Sequence, residues 1–205
     1  MIDLDISGGV WTLTLNRADK ANALSFEMLE QIAEIAGEAK EARAVIITGA
    51  GTVFSAGADL NAVKAGLATS DVWERASGAI AALPGLTIAA LNGTLAGGAF
   101  GMALACDIRL AVPTAKFFYP VMKLGYLPQP SDPARMAALI GPARTKMLLM
   151  AGQKITADEA LNYGLIDRIC PPDALMNTAQ ALCGDICAAP PGHGAAIKQM
   201  CLDRP

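Results

Sequence analysis

Apolar and polar residues alternate over the first fifteen positions. Ile2, Leu4 and Ile6 are followed by Gly8-Gly9, and then Trp11, Leu13 and Leu15 alternate with Val10, Thr12 and Thr14. A period of two around paired glycines predicts a β-hairpin. The period then lengthens. Ser25 stands where it caps a helix whose Met28, Ile32, Ile35 and Ala36 recur at helical spacing. Ala44–Thr48 is a short apolar run that predicts a buried strand ending in Gly49-Ala50-Gly51. Ser70–Leu83 returns to helical spacing and is stopped by Pro84-Gly85.

Leu86–Leu91 predicts another buried strand, followed by Asn92-Gly93 and a small-residue helix from about Gly98 to Cys106. Ile108–Val112 reads as strand. Thr156-Ala-Asp-Glu159 has the form of a capping box. Leu165–Cys170 reads as a late strand, Pro171-Pro172 and Pro190-Pro191 bracket one helix, and a short helix ends the chain. Such alternation predicts an α/β fold with mostly parallel pairing. No internal sequence repeat or low-complexity linker divides the 205 residues, so one domain is expected.

Composition narrows the function classes. The formal charge of −3, without a run of like charges, gives nucleic-acid binding no support. The most apolar stretch, Leu86 to Leu110, is broken by Asn92, Gly97, Gly98, Asp107 and Arg109, so no membrane span is expected. The N-terminus has neither a basic region nor an apolar signal core, which leads to a cytoplasmic expectation. Five cysteines without a C-x-x-C pair argue against a disulfide framework. Cys183, Cys187, His193 and Cys201 are imaginable zinc ligands, but ordinary thiols and a surface histidine are the better reading, and no metal is expected.

Two glycine-rich turns carry candidate chemistry: Phe54-Ser-Ala-Gly-Ala-Asp-Leu60, and Asn92-Gly-Thr-Leu-Ala-Gly-Gly-Ala-Phe-Gly101. Glycines at a helix start leave backbone N–H groups open and let a ligand approach closely. Two such donors converging from separate turns would form an oxyanion hole, each contributing roughly 2.7–4 kcal/mol in a transition state. Either turn alone is equally well explained by packing. Gly49-Ala-Gly51 is not a dinucleotide fingerprint, since its third glycine would fall on Phe54. No G-x-S-x-G elbow is present.

Together, in this order, the turns resemble the enoyl-CoA hydratase/isomerase (crotonase) family. Its F-x-A-G-x-D pattern matches Phe54–Asp59, and N-G-x-x-x-G-G matches Asn92–Gly98, with Cys106-Asp107 following. Asn16–Leu24, Pro120–Pro128 and Thr156–Leu165 look like further signatures of that family, so the resemblance runs from Met1 to about Pro172. It implies a crotonase-like spiral core of repeated β-β-α units, here residues 1–190. It also implies a helical C-terminal part that looks truncated, with residues 191–205 as a short tail.

The same resemblance implies that the backbone N–H groups of Ala58 and Gly98 bind a thioester oxygen. Ala21, Ala23, Ala56, Gly57, Asp59, Leu60 and Gly97 would hold the coenzyme A portion, with Lys20 reaching its phosphates. The partner is then an acyl-CoA substrate, no cofactor beyond its coenzyme A is needed, and a homotrimer or hexamer is expected.

The match breaks at the acid/base positions. The family's hydratases carry two glutamates; the corresponding residues here are Gly101 and Val121, neither of which moves a proton. Where some relatives place an aspartate after the proline matching Pro128, Gln129 stands. Asp132 is a displaced acid/base or, on the plainer reading, a helix cap before Pro133 at the first helical position. Tyr119 and Tyr126 flank the expected acyl pocket as packing residues with polar tips. Three functions stay open: an enolate-stabilising acyl-CoA enzyme (isomerase, decarboxylase, thioesterase or C–C lyase), a hydratase with displaced acid/base, or a non-catalytic CoA-thioester-binding subunit.

Overall fold

The computed structural model describes residues 1–202. A hairpin of β1 (Ile2–Ser7) and β2 (Val10–Leu15) opens the chain, and its turn is made by Gly8 and Gly9 with φ of 57° and 82°. Only glycine takes two successive left-handed positions without steric cost. Helix α1 (Phe26–Glu38) follows. Ser25 caps it by accepting from the Met28 N–H, and Met28, Leu29, Ile32, Ile35 and Ala36 form its buried face.

From there one pattern recurs. A long buried strand turns a corner into a short strand, and helices follow: β3 (Ala44–Gly49), β4 (Val53–Ser55), α2 (Leu60–Lys64) and α3 (Val72–Ala81). Next come β5 (Leu86–Leu91), β6 (Thr94–Ala96) and α4 (Phe100–Ala105). Then β7 (Ile108–Ala111), β8 (Lys116–Phe118), α5 (Val121–Leu124) and α6 (Asp132–Leu149) complete the series. The chain ends with β9 (Ile155–Thr156), α7 (Ala157–Tyr163), β10 (Arg168–Ile169), α8 (Leu175–Leu182), α9 (Gly184–Ala188) and α10 (His193–Leu202).

The long strands build one sheet in the order β1-β2-β3-β5-β7-β10, parallel except for the hairpin. The short strands build a second, β4-β6-β8-β9, parallel up to its last pair. The two sheets share corners, and chemistry explains the residues there. A Cβ on Gly93 would lie 2.0 Å from the Thr52 carbonyl oxygen, so no side chain fits. Asn92 accepts from the Gly49 N–H at 3.0 Å and donates to the Gly51 carbonyl at 3.0 Å, which locks one corner onto the next. Because β4 pairs with β6, the turns that follow them are brought side by side.

Asn22 closes the other flank of the first turn. It is fully buried at φ 52°, a conformation that asparagine tolerates. Its side chain accepts from the Arg17 N–H at 2.9 Å and donates to the carbonyls of Ala50 and Val53 at 2.9 and 2.7 Å. At the far end, Lys198 on α10 binds Asp107 at 2.8 Å and the Gly85 carbonyl at 3.0 Å.

The hairpin, the α1 cap and the capping box of Thr156 and Glu159 stand as the sequence predicts. Other expectations need correction. The late strand covers only Arg168–Ile169, and the helix between the proline pairs is two helices separated at Cys183. A helix start before Pro133 was expected, but not the run of α6 to Leu149, whose non-helical Gly141 beside Pro142 disguises its periodicity. No helix among the described residues is long and apolar enough to cross a membrane.

Asn22→Ala should destabilise the fold by about 2–4 kcal/mol, because it removes three hydrogen bonds and orphans buried backbone groups. Urea unfolding of the purified variant measures this; a loss within a few tenths of a kcal/mol would show that Asn22 does not hold the turn.

Candidate active site

The first turn, after β4, is held from below. Ser55 donates to the Asn22 carbonyl at 2.8 Å and accepts from the Gly57 N–H at 3.1 Å. Leu24 N–H donates to the Gly57 carbonyl at 2.7 Å and Asp59 N–H to the Leu24 carbonyl at 2.8 Å. Asp59 ends the turn by capping α2, accepting from Asn61 and Ala62, and it pairs with Arg17 at 2.8 Å. These bonds, the Ala62 N–H first and then Arg17 and Asn61, hold its carboxyl below the usual carboxylate range. Asp59 is thus committed to its own loop.

The second turn runs from Ala96 through Gly97, at φ 56°, to Gly98 and into α4. The two turns touch backbone to backbone. A Cβ on Gly57, itself at φ 89°, would lie 2.9 Å from the Ala96 carbonyl oxygen and 3.4 Å from Gly97 Cα. Trp73 of α3 closes over the second turn, its ring 3.0 Å from where a Gly98 Cβ would stand, and its indole N–H donates to the Leu67 carbonyl at 2.8 Å. Among the described residues, neither the Ala58 N–H nor the Gly98 N–H donates to a protein acceptor.

Both residues line one cavity of about 360 Å³, whose other walls include Trp73, Phe118, Tyr119 and Val121. Ala56, Leu60 and Gly97 line it too; Gly57 and Asp59 support it from behind, and Lys20, Ala21 and Ala23 lie outside it. Ala21 is nevertheless tied to the rim, since its carbonyl accepts from the Ala56 N–H at 2.9 Å. Among the described residues, no carboxylate lines the cavity. A larger groove, about 540 Å³, lies beneath α10, where Lys198 and Asp107 already bind each other.

Asp132 is where the plainer sequence expectation fails. It is the first residue of α6 and caps nothing, with Ser131 before it and Pro133 after it. Its side chain is fully buried, and Oδ2 accepts from the Tyr119 hydroxyl at 2.9 Å. Oδ1 has no partner among the described residues. Tyr119 in turn accepts from the Gln129 N–H at 3.3 Å and stacks on Phe100 with ring centres 5.4 Å apart. Tyr119, not Asp132, meets the cavity.

Burial pushes the Asp132 carboxyl up to about 7; Tyr119's hydrogen bond opposes this, Glu74 on α3 adds to it, and Arg135 opposes it. Burial, and then the Asp132 charge, raise the Tyr119 phenol above its ordinary range. Elsewhere, burial pushes the Cys106 thiol up to about 12 and Cys183 up to about 11, which leaves both poor nucleophiles. Among the described residues, no group of three or more His, Cys, Asp or Glu is placed to hold a metal ion.

The sequence profile of the enoyl-CoA hydratase/isomerase family matches residues 5–203. The chain belongs to this family. It is 35% identical over 201 residues to the short-chain-enoyl-CoA hydratase of Clostridium acetobutylicum, an alignment covering 92% of this chain and 76% of the relative. Among solved structures it resembles enoyl-CoA hydratase subunit I of Geobacillus kaustophilus, with a TM-score of 0.89 at 31% identity, covering all of this chain and 83% of that one. A Pseudomonas aeruginosa protein, PA4980, superposes equally well at 27% identity, covering 98% and 91% of the two chains.

Gly101 and Val121, the two positions singled out in the sequence, differ in their surroundings. Val121 is buried and its side chain lines the cavity as an apolar surface. At Gly101 the missing side chain leaves a space that Asp132 fills: a Cβ there would lie 3.1 Å from Asp132 Oδ1. Sequence reading missed Trp73, Phe100 and Glu74. All three sit at ordinary helical core or surface spacing, so nothing local marks them.

Raising a buried carboxyl's pKa has a signed effect on stability. The folded state holds the Asp132 proton more tightly than an unfolded chain near 3.8. The resulting stabilisation is complete below that value and is lost as pH climbs through about 7. Between about pH 5 and pH 8 the wild-type protein should therefore lose roughly 2–3 kcal/mol relative to Asp132→Asn in urea unfolding. Parallel pH dependences would place the Asp132 carboxyl in the ordinary range.

Proposed function

We propose that this chain binds an acyl-CoA thioester with its carbonyl oxygen between the N–H groups of Ala58 and Gly98, and stabilises the enolate that forms there. One observation carries the reading: two backbone donors without protein acceptors, delivered by touching turns, on the wall of one mainly apolar cavity. Charge developing on a thioester oxygen is stabilised by donors already in place, and an apolar surround strengthens the interaction. Each donor is worth roughly 2.7–4 kcal/mol in such sites. The segment Ala56–Leu60 borders the cavity and Ala21 is tied to it through Ala56; with Ala23 they would hold the coenzyme A portion, and the exposed Lys20 its phosphates.

A hydratase reading is favoured by the relative from Clostridium acetobutylicum, whose name states that activity. Against it stands the cavity wall. Adding water across a double bond needs one group to activate water and another to protonate carbon, and no carboxylate among the described residues lines this cavity. Chemistry that passes through an enolate without water addition, such as isomerisation, decarboxylation or C–C cleavage, fits better.

The purified protein should bind acyl-CoA thioesters yet hydrate crotonyl-CoA far below the roughly 1–10³ per second usual for enzymes. Gly98→Ala, which drives a methyl into the Trp73 ring, should weaken acyl-CoA binding at least about tenfold. An ordinary hydration rate would overturn the reading without water addition, and unchanged affinity in Gly98→Ala would overturn the assignment of the donor.

A further inference from the structure

We propose that Tyr119 is the proton carrier of this site, exchanging a proton with the α-carbon of the bound thioester and passing its own to the buried Asp132 behind it. The inference rests on the oxyanion-hole reading above, and adds the group that moves the proton.

Geometry supplies the relay. Tyr119 meets the cavity, while its hydroxyl is fixed from two sides by Asp132 Oδ2 at 2.9 Å and the Gln129 N–H at 3.3 Å. A phenol oxygen has one donor and two acceptor sites. The proton goes to Asp132 and one lone pair takes the Gln129 N–H, so one lone pair remains for a proton arriving from the cavity. In the step, the C–H electron pair becomes the enolate, whose negative charge rests on the thioester oxygen at Ala58 and Gly98. The α-proton goes to the Tyr119 oxygen as the Tyr119 proton moves along its hydrogen bond to Asp132. One negative charge thus moves from the carboxylate to the enolate oxygen, and Tyr119 ends neutral, as it began. The reverse sequence delivers a proton to carbon.

Asp132 is built as the reservoir of that relay. A buried acidic pair kept for stability alone would satisfy both oxygens, because an orphaned buried acceptor costs about 1–3 kcal/mol, more if charged. Here Oδ1 is left open, and it occupies the space beside Gly101. A carboxylate side chain at Gly101 and the carboxylate of Asp132 would compete for one volume, so the two arrangements exclude each other. The charged groups around Asp132 are Glu74, which holds Ser131 by its N–H and hydroxyl, and Arg135, which reaches Ser77 at 3.0 Å. With its pKa pushed up to about 7, the carboxyl takes and returns a proton near neutrality, where general acid–base transfer is most effective.

The test is α-proton exchange of butyryl-CoA in D2O, read by mass spectrometry, with affinity measured separately by calorimetry. Wild-type protein should exchange the α-proton, with a rate that rises with pH and levels off above about 7, where Asp132 is ionised. Tyr119→Phe and Asp132→Asn should each cut exchange about 100-fold or more while affinity stays within about threefold, and Asp132→Asn should lose the pH step. Binding without exchange in the wild type, undiminished exchange in Tyr119→Phe, or exchange and affinity falling together would each overturn the relay while leaving the oxyanion hole standing. A wild-type pH profile without a step near 7 would overturn it without any variant. Failure to bind butyryl-CoA would overturn the oxyanion-hole reading itself, and the relay with it.

Discussion

Two backbone turns lie in van der Waals contact at Gly57, Ala96 and Gly97, and the candidate site depends on that contact. A Cβ at Gly57 would press on the Ala96 carbonyl at 2.9 Å, and both Gly57 and Gly97 hold positive φ. Any larger residue would separate the turns and carry Ala58 away from Gly98. The rest of the fold serves this approach. Parallel pairing of β4 with β6 brings the turns together, Asn92 and Asn22 pin the corners from which they spring, and Trp73 presses on the second from outside. The donors are therefore fixed before any ligand arrives, and preorganisation is what gives an oxyanion hole its strength.

Glycine at position 101 affects more than its own site. With no Cβ there, the volume beside α4 is open, and the start of α6 delivers a carboxylate into it from a different part of the chain. Asp132 then pairs with Tyr119, whose ring is held against Phe100. Tyr119 therefore meets the cavity with a carboxylate behind it. An apolar wall of this kind would strengthen an interaction between the backbone donors and a developing oxyanion.

Much of this was legible in the sequence where the governing interactions are local. The Gly8-Gly9 hairpin, the Ser25 cap, the Thr156–Glu159 box and the buried strands β3 and β5 follow from residues within a few positions of one another. The family resemblance carried by the paired turns pointed to Ala58 and Gly98, which line one cavity. What stayed hidden is non-local. Strands of two or three residues in the second sheet have no periodicity to read, and the three strand–corner–strand units share geometry without sharing sequence. Asp132 sits in Ser-Asp-Pro, which locally reads as a helix cap; its role is set by Tyr119, thirteen residues away, and by an empty space at Gly101. An absent side chain leaves no local mark of what fills its place.

The central claim is that Ala58 and Gly98 polarise a thioester carbonyl, and vibrational spectroscopy addresses it directly. Difference infrared spectra of an acyl-CoA carrying a 13C-labelled thioester carbonyl, recorded free and bound, isolate that one bond. If the two N–H donors draw electron density onto the oxygen, the bound carbonyl stretch moves to clearly lower frequency. A bound thioester whose carbonyl frequency matches that in water, or moves higher as in an apolar surround without donors, would contradict it.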